Sequence, residues 1–139
     1  MASPVDPNAA IFHKSREMIL LLNVHLNHFP KHERYGLCQQ IREAAYDIYG
    51  LLVECRKRYH NKTSLQRLDV RHEQLRALVN LAYELGYYDF QHHQRGRSDA
   101  EALRRYSAIS VLINEVGAMI GGWIRSLRQQ WPDQGQATT

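Results

Sequence analysis

Hydrophobic residues recur at helical spacing along four long stretches of this chain, which are separated by short polar or proline- and glycine-containing segments. No stretch of useful length alternates with the two-residue period of a β-strand. The most apolar stretch is Val111–Leu127, and its large side chains take the i, i+3, i+4 and i+7 positions of one helix face. Together with Ile109, which precedes this stretch, that face comprises Ile113, Val116, Ile120, Trp123, Ile124 and Leu127.

A proline separates the first two predicted helices. Helix one runs from about Asn8, a suitable N-cap residue, to about His28, because Pro30 disfavours helical geometry at the residue before it. Its apolar positions are Ile11, Met18, Ile19, Leu22 and Leu26. Helix two begins near Lys31–Glu33 and runs to about Tyr59. Its predicted core positions are Leu37, Cys38, Ile41, Ala45, Ile48, Leu52, Cys55 and Tyr59.

Capping boxes mark the starts of the last two helices. Thr63 with Gln66 opens helix three, and Ser98 with Glu101 opens helix four. Gly86 ends helix three, as glycine commonly does at a helix C-terminus. The apolar positions of helix three are Leu65, Leu68, Leu75, Leu78, Val79, Ala82 and Leu85.

Four helices of roughly 20–30 residues with short links predict an all-α fold, an antiparallel up-down four-helix bundle. The bundle domain occupies residues 8–130, and residues 1–7 and 131–139 are predicted to be flexible tails. A length of 139 residues with a hydrophobic fraction of 44% suits one domain with its own core.

Composition indicates a cytoplasmic protein. The longest unbroken apolar run, Met18–Leu22, is too short to cross a bilayer, so no membrane association is expected. The start of the chain lacks the basic region and apolar stretch of a secretory signal. Cys38 and Cys55 both fall at core positions of helix two, which fits a reducing compartment without a disulfide.

Positive charge is concentrated in one segment. The chain has a net charge of +4, yet residues 56–76 hold seven basic and two acidic residues, and the rest holds eleven and twelve. Arg67 and Arg71 lie at i, i+4 and project from the same side of helix three. This segment predicts a site for an anionic partner such as nucleic acid, with a solvated face as the alternative. With the loop before helix four, the predicted nucleic-acid contacts are Arg56, Lys57, Arg58, Lys62, Arg67, Arg71, Arg95 and Arg97.

Two rings lie among these cations. Tyr59 and His60 are suited to stacking on unpaired bases. The alternative is that Tyr59 belongs to the core and His60 to a turn. The chain has no base-reading motif, so binding should be dominated by phosphate contacts, sensitive to salt and weakly selective for sequence.

Metal and cofactor chemistry have no support in the spacing of ligand-type residues. No recognisable ligand set is formed, and no metal or cofactor is expected. The residues considered are His25, His28, Cys55, His60, His92 and His93.

One pattern raises the alternative of an enzyme. Arg67 and His72 resemble the Arg-x4-His signature of nucleases of the HEPN superfamily, which are helical bundles of this size. The resemblance implies that the pair acts on the scissile phosphate and its 2′-hydroxyl. Here Leu68 stands where that signature usually has a polar residue, and His72 falls on the apolar side of helix three. A structural role for His72 is therefore favoured over a ribonuclease.

Helix four carries an unusual number of glycines. Gly117, Gly121 and Gly122 each cost roughly 0.8–1 kcal/mol relative to alanine in a helix interior. Two of them continue a row of small or polar residues beside the apolar face: Ser107, Ser110, Asn114, Gly117 and Gly121. This row predicts close approach of another helix, either within the bundle or at a seam between subunits.

Two segments of the chain resemble one bacterial family. The first contains Val111-Leu112-Ile113, Glu115-Val116-Gly117 and then Gly121 (or Gly122)-Trp123-Ile124, and the second is Phe29-Pro30-Lys31-x-Glu33-Arg34-Tyr35. They are similar to four-helix bundle proteins that include the accessory variability determinant of diversity-generating retroelements. The same family includes proteins encoded in intervening sequences of 23S ribosomal RNA genes. The resemblance covers about Met18–Arg128.

The resemblance implies a non-catalytic, basic, barrel-like homopentamer. Such a protein binds the retroelement reverse transcriptase and its template RNA, and supports the adenine-mutagenic synthesis of complementary DNA. The intervening-sequence branch shares the fold but has an obscure role. The concentration of positive charge in residues 56–76 favours the retroelement branch. The modest net charge favours a local basic patch over a uniformly positive barrel. The resemblance also favours a subunit seam at Ser110, Asn114, Gly117 and Gly121.

Overall fold

Four α-helices pack against each other in the structure, a computed structural model that describes residues 8–90 and 99–130. They are α1 (Ala9–Leu26), α2 (Leu37–Lys57), α3 (Lys62–Glu84) and α4 (Asp99–Gln130), with a 3₁₀ turn at Lys31–Glu33. These two described ranges contain no β-strand. The predicted all-α four-helix bundle is confirmed.

The helices form a ring in chain order. Helix α1 packs against α2 and α4, and α3 packs against the same two helices. The α2–α3 turn therefore lies at one end of the bundle, while the α1–α2 turn and the C-terminal end of α3 lie at the other. Helix α2 has 21 residues, and at 1.5 Å per residue it separates the two ends by about 30 Å.

Most predicted core positions are buried. Those of helix two from Leu37 to Cys55 all lie inside, as do Ile109, Ile113, Val116 and Ile120 of α4. The core thus follows the helical spacing of the sequence, because each helix turns one apolar face towards the other three. Among the predicted apolar positions, those that are only partly buried are Ile19, Leu78, Trp123, Ile124 and Leu127.

Two predicted core positions are wrong, and both lie where a helix has already ended. Tyr59 is 92% exposed because α2 ends at Lys57 and the next residue, Arg58, is extended with ψ 137°. Leu85 is 51% exposed at the C-cap of α3.

The first two helices have different ends from those predicted. Helix α1 ends at Leu26, slightly early, and α2 begins at Leu37, later than the predicted Lys31–Glu33. Between them, the Glu33 carboxylate accepts a hydrogen bond from the Leu37 backbone N–H at 3.0 Å. A Cβ at Gly36 would lie 2.5 Å from that Glu33 oxygen, so a side chain at position 36 would displace the carboxylate from this position.

The two ends of α3 give opposite outcomes. The predicted capping box at Thr63 and Gln66 is wrong, because α3 begins at Lys62 and its N-cap is Asn61. The predicted stop at Gly86 is confirmed: its φ is +83°. The flanking amides complete the turn, since Gly86 N–H donates to Tyr83 and Tyr87 N–H donates to Ala82, both at 3.0 Å.

Two predicted features of the fold fall outside the described residues. They are the helix-four cap at Ser98 and the tails, residues 1–7 and 131–139. Asn8 does occupy the N-cap position of α1, although its side chain makes no capping hydrogen bond there.

Helix α4 is long and apolar enough to cross a membrane by length and composition alone, with a mean hydropathy of 1.4 in its most apolar window. The unbroken apolar runs of the sequence did not show this, because small and polar residues interrupt the window. A core helix of a water-exposed bundle passes the same test, and α4 packs against α1 and α3. Only 22% of the window is buried within the chain, so much of its surface remains uncovered.

Candidate nucleic-acid interface

The α2–α3 turn places a group of exposed cations at one end of the bundle. Lys57, Arg58 and Lys62 are all exposed, and Tyr59 and His60 lie between them. Within residues 8–90 and 99–130, neither Lys57 nor Lys62 forms an ion pair. The turn therefore carries positive charge that the described part of the chain leaves without a direct counter-ion.

Glu54 organises the base of this turn. One of its carboxylate oxygens accepts hydrogen bonds from the Ser64 hydroxyl and from Arg67 Nη1, the latter at 3.3 Å, and lies 3.7 Å from Arg58 Nη1. The Ser64 hydrogen bond is the main cause of the lowered pKa of Glu54, with smaller effects of Arg67 and Arg58. An ionised Glu54 therefore ties the end of α2 to the start of α3.

Arg71 lies further along α3 and is also neutralised. Its Nη2 and Nε lie 2.7 and 3.0 Å from one carboxylate oxygen of Asp47, and its Nη1 donates to Gln74 at 2.9 Å. With Arg67 it borders an open groove of about 680 Å³ between α2 and α3. The two arginines do point the same way, as predicted, but each faces a carboxylate of α2 across this groove.

The predicted cations thus do not share one environment. Arg56 turns to the other side of α2, where its guanidinium lies 4.2 Å from the centre of the Phe12 ring on α1. Arg95 and Arg97 lie outside the described residues, as do His92 and His93. Sequence reasoning missed Asp47 and Glu54, because Asp47 meets Arg71 and Glu54 meets Arg67 only when α2 packs on α3. For Glu54 a local signal existed in its i, i+4 spacing to Arg58.

The proposed nuclease pair is not brought together within the chain. Arg67 is exposed on the α2 side of α3, whereas His72 is 1% exposed and faces α4. His72 Nε2 lies 2.8 Å from the backbone oxygen of Ile113. Burial lowers the pKa of His72, and the favoured structural interpretation of this residue matches its surroundings.

Within the small-residue row of α4, Gly117 and Gly121 have different surroundings. A Cβ at Gly117 would lie 2.6 Å from His72 Cε1 and 3.2 Å from Arg76 Nη2, so Gly117 has a reason within the bundle to be glycine. Asn114 accepts a hydrogen bond from Arg76, which lies on α3 as His72 does. Among the described residues, a Cβ at Gly121 would in contrast meet only Arg125 Nη1 of its own helix, at 3.3 Å. None of the other three described helices therefore requires a glycine at position 121.

The other residues considered for chemistry are packed or scattered. In the part of the chain that the structure describes, no three histidine, cysteine or acidic side chains come close enough to hold a metal ion. Cys38 and Cys55 are buried free thiols, and burial raises the pKa of Cys55 to about 11. His25 is buried edge-on to Tyr88, with ring centres 5.1 Å apart.

The comparison with protein families adds a decisive observation. A family model described as bAvd-like matches residues 10–127, a range that contains α2 and α3 and nearly all of α1 and α4. The chain belongs to the bAvd-like family. No curated protein matches it. Membership implies a protein like the accessory variability determinant of diversity-generating retroelements, a class of generally non-catalytic accessory proteins.

The sequence resembled two groups of proteins, those of diversity-generating retroelements and those of ribosomal intervening sequences. The description of the family that matches this bAvd-like chain names the first group. The match also extends beyond the two segments on which that resemblance rested, since it begins in α1 and ends near the end of α4.

Proposed function

We propose that this bAvd-like chain is a non-catalytic accessory protein of a diversity-generating retroelement, located in the cytoplasm. It binds template RNA or complementary DNA through the α2–α3 turn and acts with the retroelement reverse transcriptase in mutagenic reverse transcription. The observation that carries the proposal is the pair Lys57 and Lys62, two exposed cations without a counter-ion in the described residues. Family membership supports the accessory role and the association with a reverse transcriptase.

Phosphate binding by this turn follows from its electrostatics. Cations that contact phosphates release condensed counter-ions, so each contact makes the binding constant fall more steeply with salt. Arg67 and Arg71 contribute less, because Glu54 and Asp47 already occupy them. The lysines of the turn are therefore the main determinants of affinity, and Arg58 supports them.

The experiment measures binding to a labelled single-stranded RNA at several salt concentrations. The double variant Lys57→Glu, Lys62→Glu should bind more weakly, and the negative slope of log K against log salt should become shallower by about 1.4 if two phosphate contacts are lost. The matched control is Lys31→Glu, Arg34→Glu, which makes the same charge change on exposed residues at the other end of the bundle.

Two results would contradict this proposal. One is an unchanged salt slope in the Lys57, Lys62 variant, and the other is an equal loss of affinity in both double variants. Cleavage of the RNA that is abolished by His72→Ala would replace the accessory role with a ribonuclease.

The proposal includes a homo-oligomer, a pentamer by family resemblance, with the small-residue row of α4 at its seam. Its support is the uncovered space beside Gly121 and the apolar surface of α4. Leu103 is 50% exposed and lies five helical turns before Gly121 on the same side. Gly121 is the best-supported seam residue, since His72 fills the space beside Gly117 and Asn114 accepts a hydrogen bond from Arg76 of α3. Ser110 stays a predicted seam residue. A particle mass well above 16.2 kDa, lowered by Gly121→Leu at constant helical content, is the expected result.

A further inference from the structure

The α2–α3 turn holds an aromatic ring that the described part of the chain leaves exposed. Tyr59 is 92% exposed, more than any other large hydrophobic side chain of the described residues. Its only ring neighbour there is His60, with centroids 4.7 Å apart and planes at 86°. A perpendicular neighbour covers at most one face of the tyrosine ring. At least one face of Tyr59 is therefore open to a ligand.

The local backbone directs this ring outward. Continued helix would place residue 59 on the buried row of Leu52 and Cys55, one turn further on. Instead α2 ends at Lys57, and the extended Arg58 turns the chain away from the core. The exposure of Tyr59 thus results from where the helix stops.

The turn is anchored on both sides of the ring. Asn61 is buried, and its side-chain amide donates to the backbone oxygen of Cys55 at 2.9 Å. Ser64 and Glu54 form the second tie, from α3 to α2. These bonds hold the backbone of residues 58–61 against the bundle, so a ligand that stacks on Tyr59 meets an ordered support.

The surroundings of the ring determine which ligand suits it. Lys57, Arg58 and Lys62 lie within three residues of Tyr59 and are exposed. Cores of protein interfaces are depleted of lysine, whereas proteins that bind single-stranded nucleic acid combine cations with stacking aromatic rings. Bases in a duplex are stacked on each other and expose only their edges in the grooves, so a tyrosine face has no partner there.

We infer that Tyr59, supported by His60, is a stacking platform for an unpaired base, and that the nucleic acid bound at this turn is single-stranded. The inference rests on the proposed binding of nucleic acid by the same turn. It adds a contact to a base, which phosphate binding alone does not require. It also assigns different roles to the residues of the turn: the lysines bind phosphates, and the ring selects for an unpaired strand.

The test compares a single-stranded and a double-stranded RNA of equal length, both fluorescently labelled, at one salt concentration. Tyr59→Leu should weaken single-strand binding by about five-fold to 100-fold and leave duplex binding unchanged. Tyr59→Trp should retain single-strand affinity, because indole also stacks. The salt slope of Tyr59→Leu should equal that of the unmodified protein, since no phosphate contact is removed.

The chain offers a matched control in Tyr35, which is 83% exposed at the other end of the bundle. Tyr35→Leu should leave binding of both RNAs unchanged. Both tyrosines are exposed, so the variants should fold, and circular dichroism checks this.

The two proposals fail in different ways. If Lys57→Glu, Lys62→Glu weakens binding and lowers the salt slope while Tyr59→Leu changes nothing, the stacking platform is wrong and the nucleic-acid site stands. If Tyr59→Leu weakens single-strand and duplex binding equally, the selectivity for unpaired bases is wrong. If neither variant alters RNA binding, both proposals are wrong. A Tyr59→Leu variant that binds RNA normally but loses its reverse transcriptase would identify the ring as a protein contact and overturn the stacking platform.

Discussion

The two sides of helix α3 make different kinds of contact with the neighbouring helices. On the side towards α4, His72 is buried, bonded to Ile113 and pressed against the backbone at Gly117. On the side towards α2, Arg67 and Arg71 are balanced by carboxylates across an open groove. Close packing tolerates almost no added volume, whereas exposed ion pairs contribute little to stability. The α4 side should therefore be sensitive to single atoms and the α2 side tolerant of substitution.

The largest effect is expected from one methyl group at the α4 side. Gly117→Ala and Gly121→Ala gain the same helix propensity, but only the first places a Cβ 2.6 Å from His72. Gly121→Ala should therefore be more stable than Gly117→Ala by about 1–3 kcal/mol, the usual cost of overpacking. Urea unfolding of the two variants measures this difference. Equal stabilities would show that His72 yields easily and that this side is not tightly packed.

Acid should destabilise the protein through its buried histidines. Burial lowers the pKa of His25 from 6.5 to about 4, and burial also lowers that of His72. Between pH 6.5 and 4 the unfolded chain binds more protons than the folded one, so stability falls as the pH is lowered through this window. His25→Phe keeps a ring beside Tyr88 and should reduce this loss, leaving the part due to His72. Parallel pH profiles of the variant and the unmodified protein, from thermal unfolding, would contradict the assignment to His25.

The smallest effect is expected on the α2 side. A double-mutant cycle of Asp47→Ala and Arg71→Ala should give a coupling of about 0.2–1 kcal/mol that weakens with added salt. Arg71 is 24% exposed and Arg67 is 60% exposed, so the corresponding cycle for Glu54 and Arg67 should give the smaller coupling. A coupling at Asp47 and Arg71 larger than the difference between the two glycine variants would reverse the contrast between the two sides.

Most of the fold was determined by the sequence itself. The spacing of apolar residues identified four helices, the buried positions from Leu37 to Cys55 and those from Ile109 to Ile120. Gly86 marked the end of α3 correctly. These features are local, because a helix face and a glycine turn depend on residues a few positions apart.

The details of the candidate site were decided only by tertiary structure. Arg71 meets Asp47 from 24 residues earlier, and Arg67 meets Glu54 from 13 residues earlier. A Cβ at Gly117 would lie 2.6 Å from His72, a residue on another helix. Tyr59 leaves the core because α2 stops two residues before it. Charge balance and steric fit between helices depend on how the helices pack, so a count of charges along the chain could not reveal them. Helical spacing, in contrast, depends only on residues three or four positions apart in the same helix.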